Sequence, residues 1–202
     1  MEYAIVIQAG GKSTRMGQDK ALMSFHGTTM IEYILHQVEK LGKEIVIISN
    51  RPEEYQGFRI PVFSDVYPDI GALGGLYTAI YHSTAEYCLL LACDMPFINL
   101  SFIQHLISLA PQFDAVIPRI HPNEFTEPFR AVYSKTCLPA IEAAILSDQR
   151  RVLSFFDDVN IRFVDEPEIK RYDPELITFF NVNTPEDLIE AEKNAQKLSQ
   201  SE

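Results

Sequence analysis

Residues 3–20 have the sequence YAIVIQAGGKSTRMGQDK, an apolar run followed directly by a polar loop with three glycines. The run 3–8 has the length and composition of a buried strand. Glycines after a strand let the backbone approach a ligand and point N–H groups at phosphate oxygens. Lys12, Arg15 and Lys20 add three cations within nine residues. The loop therefore predicts a polyphosphate-binding site, with a flexible solvated loop as the alternative.

Strand and helix patterns alternate along the rest of the chain. Strands are predicted at 44–49, 60–63, 87–92, 115–117, 129–133, 162–164 and 179–183. Helices are predicted at 31–41 (ended by Gly42), 74–83, 101–109 (capped by Ser101), 135–146 and 185–198 (capped by Thr184, with Asp187 three residues on). This alternation predicts a three-layer, Rossmann-like α/β fold with a mostly parallel central sheet, in which ligands bind beyond the carboxyl ends of the strands.

Composition limits the possible functions. The chain has 202 residues and a net charge of −11, and no linker or repeat divides it, so we expect one domain over residues 1–195 and a fraying polar tail over 196–202. An acidic surface repels phosphate backbones, which argues against nucleic-acid binding. No apolar stretch is long enough to span a membrane, and the N-terminus lacks the features of a signal peptide. With three cysteines in no close pairing, we expect a cytoplasmic protein with reduced thiols.

Three other loops carry polar residues at strand ends. Asp94 follows the apolar run 87–92 and is placed to hold Mg²⁺ against a phosphate, although an aspartate there can also serve a turn. Asp65 and Asn50 follow two other predicted strands and could contact a nucleotide hydroxyl or base edge, or only form turns. Asn183, beside Asn181, ends the predicted last strand and could face the site or serve the turn into the helix after it.

The glycine-rich segment from Gly71 to Gly75 opens a helix and allows close backbone contact with a base or sugar, or only a tight turn. Arg150, Arg151 and Glu127 remain undecided between substrate contact and ordinary surface roles.

A second phosphate-binding motif nearly matches the first loop. Gly11-Lys12-Ser13 resembles the end of the P-loop pattern GxxxxGK[ST], which needs glycine at position 6, where this chain has Val6. A P-loop ATPase or kinase therefore stays as an alternative to be tested by its products.

These motifs together resemble the molybdenum cofactor guanylyltransferases, the MobA family. The family pattern L-A-G-G, R-M-G, D-K is similar to the segments 8–11 and 15–20, and G-P-L-A-G to 71–75. The patterns C-D-x-P and N-x-N-T-P-E-[DE]-L are similar to 93–96 and 181–188, and the stretch 150–152 is similar too. Gln8 stands where the family has leucine, Ala72 and Gly74 where it has proline and alanine, and Ile48 where some members have a nucleotide-binding asparagine.

The resemblance implies a nucleotidyltransferase that moves GMP from GTP to the terminal phosphate of molybdopterin bearing molybdenum, releases pyrophosphate and uses Mg²⁺. It implies GTP contacts from the backbone of Gln8, Ala9 and Gly10 and from Lys20 and Asp65, with Mg²⁺ on Asp94. The amides of Gly10 and Gly11 would stabilise the triphosphate, and the catalytic residues would be Arg15, Lys20 and Asp94. Asn50, Gly71, Gly75 and Asn183 are candidates for base or substrate contacts from their positions in the chain, not from the resemblance.

Two further alternatives concern the product and the partners. A cytidylyltransferase making the cytosine form of the cofactor would keep the same loops, and a non-catalytic nucleotide-binding module would not need Lys20, Arg15 and Asp94 together. Cofactor-maturation proteins are plausible partners because such cofactors are labile.

Overall fold

A computed structural model describes residues 2–9, 19–41, 44–121 and 125–200 of the chain. Its strands are β1 (Tyr3–Gln8), β2 (Ser24–Phe25), β3 (Thr28–Thr29), β4 (Ile45–Ile48), β5 (Val62–Phe63), β6 (Tyr87–Ala92), β7 (Ala115–His121), β8 (Phe125–Thr126), β9 (Arg130–Ser134) and β10 (Ile161–Asp165). Its α-helices are α1 (Met30–Val38), α2 (Ala72–His82), α3 (Leu100–Leu109), α4 (Leu138–Leu146), α5 (Glu166–Ile169) and α6 (Pro185–Ser199). Short 3₁₀ turns lie at Lys20–Leu22, Glu39–Leu41, Pro52–Phe58, Ala110–Gln112, Lys135–Cys137, Val152–Asp158 and Ile177–Phe179.

The central sheet of the described residues has the strand order β10-β7-β9-β6-β1-β4-β5, with β8 paired to β7. The pairs β10/β7, β6/β1, β1/β4 and β4/β5 are parallel, whereas β9 runs antiparallel to both of its neighbours. The predicted mostly parallel sheet is confirmed. Because β6, β1, β4 and β5 are adjacent and parallel, the loops that follow them meet at one edge of the sheet.

Helices cover both faces of this sheet. Val6 packs on one face with Leu76 and Ile80 of α2, whereas Ile5 packs on the other face with Phe102 and Leu106 of α3. Side chains alternate between the two faces of a strand, so a continuous apolar run is what a central strand buried on both sides requires. The predicted three-layer α/β fold is confirmed.

The predicted strand 179–183 is wrong. A 3₁₀ turn ends at Phe179, and the extended segment after it makes one bond to a loop, from the Val182 amide to the Asp94 carbonyl at 2.7 Å. Aromatic packing accounts for the apolar run, because Phe179 lies against Phe102 and Phe180 against Phe97. A short apolar run does not distinguish a strand from a packed extended segment.

Helix boundaries also differ from the predictions. Helix α3 begins at Leu100 and is capped by Asn99, whose side chain accepts from the Phe102 amide at 3.0 Å, so Ser101 is not the cap. The polar tail predicted from residue 196 is helical as far as Ser199. Gly42, predicted to end the second element, lies outside the described residues. Over the described part of the chain, no helix combines the length and hydropathy of a membrane span.

Candidate active site

The sheet brings the predicted polar residues to one edge. Gln8, the last residue of β1, is in register with Ile48 of β4 on one side and Ala92 of β6 on the other. Asn50 and Asp94 lie two residues beyond these partners, and Asp65 lies two residues beyond β5. The carboxyl edge of the sheet therefore gathers two amide side chains and two carboxylates from four adjacent strands.

Lys20, Asp94 and Asn183 form a cluster that we call the lysine cluster. The Lys20 ammonium donates to Asn183 Oδ1 at 2.8 Å and lies 3.9 Å from Asp94 Oδ2. The Asp94 carbonyl accepts from the Val182 amide, so the segment before α6 is attached to the turn after β6. Three residues predicted separately from the sequence are thus brought together by three distant parts of the chain.

Asp19 fixes the position of Lys20, a role that the sequence analysis did not assign. It is buried, and its carboxylate accepts from Arg51 Nη2 at 2.8 Å, from the Tyr55 hydroxyl at 2.9 Å and from the Ala21 amide at 3.0 Å. Burial, reinforced by the Asp19 charge, raises the pKa of Tyr55, which stays a donor. The only sequence signal was the position of Asp19 directly before Lys20 in the D-K motif.

The turn that leads into α6 holds Asn183. The Asp187 carboxylate accepts from the amides of Asn183 at 2.9 Å and Thr184 at 2.8 Å, and Thr184 accepts in return from the Asp187 amide. These backbone bonds lower the pKa of Asp187. The predicted cap is confirmed, and it also fixes the backbone from which Asn183 reaches Lys20.

Burial governs the electrostatics of Asp94. Desolvation raises the pKa of its carboxyl, and Lys20 and Arg130 oppose that rise. The same desolvation raises the pKa of Glu127, with Arg130 again opposing it. A carboxylate that is partly desolvated and has a cation beside it is a strong electrostatic partner for a further cation.

Arg130 is a site residue that the sequence analysis missed. It is fully buried at the start of β9, and its Nη2 donates to the Met95 carbonyl. Its Nε and Nη1 have no partner among the residues that the structure describes. Burial lowers its pKa to about 10, although Asp94, Glu127 and Asp173 act in the opposite direction. One arginine inside the apolar run 129–133 was a possible signal, because a buried charge needs a compensating one.

Asn50 and Asp65 form a reciprocal pair. Asn50 Nδ2 donates to Asp65 Oδ2 at 2.8 Å, and the Asp65 amide donates to Asn50 Oδ1 at 2.9 Å. Burial raises the pKa of Asp65, and the bond from Asn50 opposes that rise. The pair holds the loops after β4 and β5 together and presents a carboxylate at the edge of the sheet.

The glycine segment before and within α2 makes two close approaches. Gly71 has a backbone φ of 78°, a value that residues with a side chain rarely adopt. A Cβ atom at Gly74 would lie 2.9 Å from the Tyr67 carbonyl oxygen, and one at Gly75 would lie 2.1 Å from Gln8 Nε2. Gly75 therefore lies against the end of β1, within the region that the sequence assigned to base or substrate contacts.

The backbone groups of Gln8 and Ala9 already support the sheet. The Gln8 carbonyl accepts from the Cys93 amide at 3.1 Å, and the Ala9 amide donates to the Ile48 carbonyl at 2.9 Å. The expected nucleotide contacts of this backbone stay a prediction. Gly10, Gly11 and Arg15 lie within residues 10–18, outside the described residues.

Arg150 contacts the loop that precedes α2. Its Nη1 donates to the Asp69 carbonyl at 2.8 Å, and its Nη2 lies 3.4 Å from Asp148 Oδ1. This guanidinium holds the backbone between Asp65 and Gly71, so its observed role is structural.

The donor atoms at this edge fit Mg²⁺ held partly by a substrate. No group of three or more His, Cys, Asp or Glu residues that could hold a metal occurs in the described part of the chain. Mg²⁺ usually binds proteins through one or two carboxylates and completes its shell with water and substrate phosphates. Asp94, which is 28% exposed, supplies one such carboxylate.

A mostly parallel sheet has cationic and carboxylate side chains at its carboxyl edge, and its strand β1 is followed in the sequence by glycines and cations. These are the features of a nucleotidyltransferase. The P-loop pattern requires a glycine in a loop at position 6, but this chain has Val6 inside strand β1. The chain belongs to the family with the MobA-like NTP transferase domain, whose model matches residues 5–160.

Relatives and a solved structure agree with this assignment. The chain is 35% identical to the probable molybdenum cofactor guanylyltransferase of Peptoclostridium acidaminophilum, over 91% of this chain and 85% of that protein. It is 32% identical to the molybdenum cofactor guanylyltransferase of Desulfosudis oleivorans, over 93% of each. The crystal structure of molybdopterin-guanine dinucleotide biosynthesis protein A from Archaeoglobus fulgidus superposes with a TM-score of 0.83 at 26% identity, covering 96% of this chain and 99% of that one.

Proposed function

We propose that this protein transfers GMP from GTP to the terminal phosphate of molybdenum-bearing molybdopterin, forms the guanine dinucleotide cofactor and releases pyrophosphate. The observation that carries the proposal is the lysine cluster, in which the Lys20 ammonium lies between Asn183 Oδ1 and the Asp94 carboxylate. The names of the relatives specify guanine and the molybdenum cofactor for those proteins. The shared fold and motifs support the same substrates here.

The reaction joins two anions, so positioning and charge neutralisation dominate catalysis. An oxygen of the acceptor phosphate attacks the α-phosphorus of GTP in line, a new P–O bond forms, and the bond to the pyrophosphate oxygen breaks. The acceptor phosphate is largely ionised near neutral pH, so no general base is needed. Lys20, held by Asn183, neutralises negative charge on the triphosphate. Arg15, in the glycine-rich segment after β1, is assigned the role of stabilising the charge of the departing pyrophosphate.

Asp94 would hold Mg²⁺, which when bound supplies positive charge to the reacting phosphates. Arg130 opposes the protonation of Asp94 that burial favours, so it supports the charged form of that ligand. Asp65 is assigned a hydroxyl of the ribose, since carboxylates commonly accept from sugar hydroxyls at this edge of α/β sheets. The acidic composition and the reaction are compatible with a cytoplasmic enzyme that passes its product to cofactor-maturation proteins.

The test is a transfer assay with α-labelled GTP, Mg²⁺ and molybdopterin carrying molybdate. We expect label in a dinucleotide product and one pyrophosphate released for each product formed. Release of GDP and phosphate would instead indicate an NTPase, and nucleotide binding without transfer would indicate a non-catalytic module.

A matched pair of lysine variants links the assay to the lysine cluster. Lys20→Met is expected to reduce turnover by on the order of 10²-fold, as removal of one main electrostatic stabiliser does. Lys170→Met is the control, because Lys170 also pairs with a carboxylate, Glu166, at 2.6 Å but lies outside the cluster. Equal activity in the two variants would contradict the role of Lys20.

A cytidylyltransferase is the second candidate, and one observation favours keeping it. Ile48, at the position where some family members carry a nucleotide-binding asparagine, is buried and apolar, so that contact is missing here. Running the same assay with CTP decides the matter, since a cytosine product with little guanine product would change the nucleotide and keep the mechanism.

A further inference from the structure

The carboxamide of Gln8 occupies the space that a side chain at residue 75 would need. A Cβ atom on Gly75 would lie 2.1 Å from Gln8 Nε2, 2.8 Å from Cδ and 2.9 Å from Oε1. The carboxamide thus lies close against Gly75 in the first turns of α2, at the carboxyl edge of the sheet. Leucine, the family residue at position 8, has no polar side-chain atoms, so a carboxamide at this place is a feature of the present chain.

Within the described part of the chain, the oxygen of this carboxamide has no hydrogen-bond donor. Gln8 Oε1 is buried and is bonded by none of the described residues, whereas buried polar atoms in native proteins are nearly always paired. The neighbours of Gln8 in register, Ile48 and Ala92, have no polar side-chain atoms to offer. An unpaired acceptor beside a candidate nucleotide site indicates a donor that arrives with the ligand.

The chemistry of the nucleotide narrows the identity of that donor. Triphosphate oxygens are acceptors, so a donor must come from the base or the ribose. Asp65 already presents a carboxylate for ribose hydroxyls beyond β5, paired with Asn50. Guanine offers adjacent donors, N1–H and the 2-amino group, on one edge. We propose that the side chain of Gln8 accepts a hydrogen bond from this edge of guanine; the inference rests on the proposed function for the nucleotide's identity.

Two substitutions at position 8 separate this role from a structural one. Gln8→Leu keeps the volume and removes the acceptor, so GTP should bind roughly tenfold more weakly, the loss expected when a desolvated donor is left unpaired. Gln8→Glu presents two acceptor oxygens to two donors and should keep GTP affinity within about threefold of the wild type while weakening CTP. Tripolyphosphate, which has no base, should bind all three proteins equally.

Gly75→Ala tests the geometry without changing Gln8. Its new methyl group would meet the flexible end of the Gln8 side chain, so the carboxamide should move away while the helix is retained. If the loss of GTP affinity arises through Gln8, the Gln8→Leu/Gly75→Ala double variant should lose no more than Gln8→Leu alone. Gly57→Ala is the matched control, because a Cβ there meets nothing within 4 Å.

The experiment is calorimetric titration of each full-length protein with GTP, CTP, 2′-deoxy-GTP and tripolyphosphate in the presence of Mg²⁺. Tenfold weaker GTP binding by Gln8→Leu with unchanged tripolyphosphate binding supports the proposal. Equal losses for both ligands, or a Gln8→Leu effect that disappears with 2′-deoxy-GTP, would overturn it in favour of general distortion or a ribose contact. A wild-type protein that fails to bind GTP would overturn the proposed function itself, whereas tight GTP binding unaffected by Gln8→Leu would overturn this inference alone.

Discussion

At the scale of single residues, Asp94 carries a charge that the fold partly desolvates. Burial raises the pKa of its carboxyl, while Lys20 and Arg130 lie close enough to oppose that rise. Arg130 is itself buried, and two of its nitrogens find no partner in the described ranges of the chain, an arrangement that stabilises a fold poorly. Natural proteins tolerate such arrangements mainly where function needs them, which agrees with the assignment of this edge as the active site.

We expect Asp94→Ala to fold and to lose on the order of 10²-fold or more in turnover, because it removes the carboxylate assigned to Mg²⁺. Steady-state kinetics with saturating GTP and acceptor measures the loss, and circular dichroism checks folding. Asp158→Ala is the control, because Asp158 is an exposed aspartate at the end of the 3₁₀ turn Val152–Asp158, outside the candidate site. Turnover near that of the wild type would remove Asp94 from the mechanism.

Asp65 gives a pH-dependent prediction for stability. Burial raises its pKa above the ordinary value of 3.8, so the folded state binds the proton more tightly than the unfolded chain does. The free energy of unfolding therefore falls as the pH rises from below 3.8 through the raised pKa. In Asp65→Asn the free energy of unfolding does not show this fall, because the amide does not titrate. The amide oxygen can still accept the hydrogen bond that Asn50 donates.

The stability of Asp65→Asn relative to the wild type should thus be greater at pH 7 than at pH 4, while its GTP affinity is lower at pH 7. Urea denaturation at the two pH values and a GTP titration measure these effects. A relative stability that does not change with pH would show that the Asp65 charge is not desolvated as described.

At the scale of elements, helix α2 and the loop before it approach each other very closely. A Cβ on Gly74 would lie 2.9 Å from the Tyr67 carbonyl oxygen and 3.0 Å from Ile70 Cβ. Thr78 adds a bond from its hydroxyl to the Gly74 carbonyl at 2.8 Å and accepts from the Val66 amide at 2.9 Å. The loop that carries Asp65 is therefore fixed to the first turns of this helix.

Gly74→Ala introduces the residue that the MobA-family pattern has at this position. Within a helix, alanine is favoured over glycine by about 1 kcal/mol, but here the methyl group meets a backbone carbonyl that cannot rotate away. We expect a lower melting temperature for Gly74→Ala than for Gly75→Ala, whose methyl group meets only a flexible side chain. Differential scanning calorimetry of the two variants makes the comparison, and a higher melting temperature for Gly74→Ala would contradict it.

Sequence patterns predicted the elements with long apolar or capped signals. Strand β1 and helix α6 were found because one is a continuous apolar run and the other has a Thr184/Asp187 capping box. Apolar patterning wrongly predicted a strand at 179–183, where the chain packs through its aromatic rings and does not pair with a strand of the described sheet. It also missed the cap at Asn99, since asparagine and serine are nearly equal as caps and only the geometry selects one.

The candidate site was predictable where a motif carried it. Lys20, Asp94 and Asn183 each stood in a sequence motif, and the structure brings their side chains together. Arg130 and Asp19 were missed because their roles depend on which neighbours surround them after folding. Apolar periodicity records that a position is buried, but it does not show what a buried charge faces.

At the scale of the whole molecule, nucleotide binding should stabilise the fold as a unit, because the loops of the site follow four adjacent strands of one sheet. GTP with Mg²⁺ at about 100 times its Kd adds roughly 2.7 kcal/mol. For a chain of this size that corresponds to a rise of about 5–10 °C in melting temperature.

Thermal denaturation with GTP, CTP and ATP, each with and without Mg²⁺, measures this rise. The largest shift should come from GTP with Mg²⁺. A shift that is the same for all three nucleotides would mean that the phosphates alone are recognised.

The contact between Lys20 and Asn183 joins residues 163 positions apart, and this has a consequence for biosynthesis. When β1 and its neighbours β4 and β6 have been made, the strands β7 to β10 and the partner of Lys20 are still to be synthesised. At about 5–20 residues per second, the 163 positions between Lys20 and Asn183 take about 8–30 s to synthesise. The Lys20–Asn183 contact therefore forms only after every strand of the described central sheet has been made, so Lys20 is without this partner while the sheet is assembling.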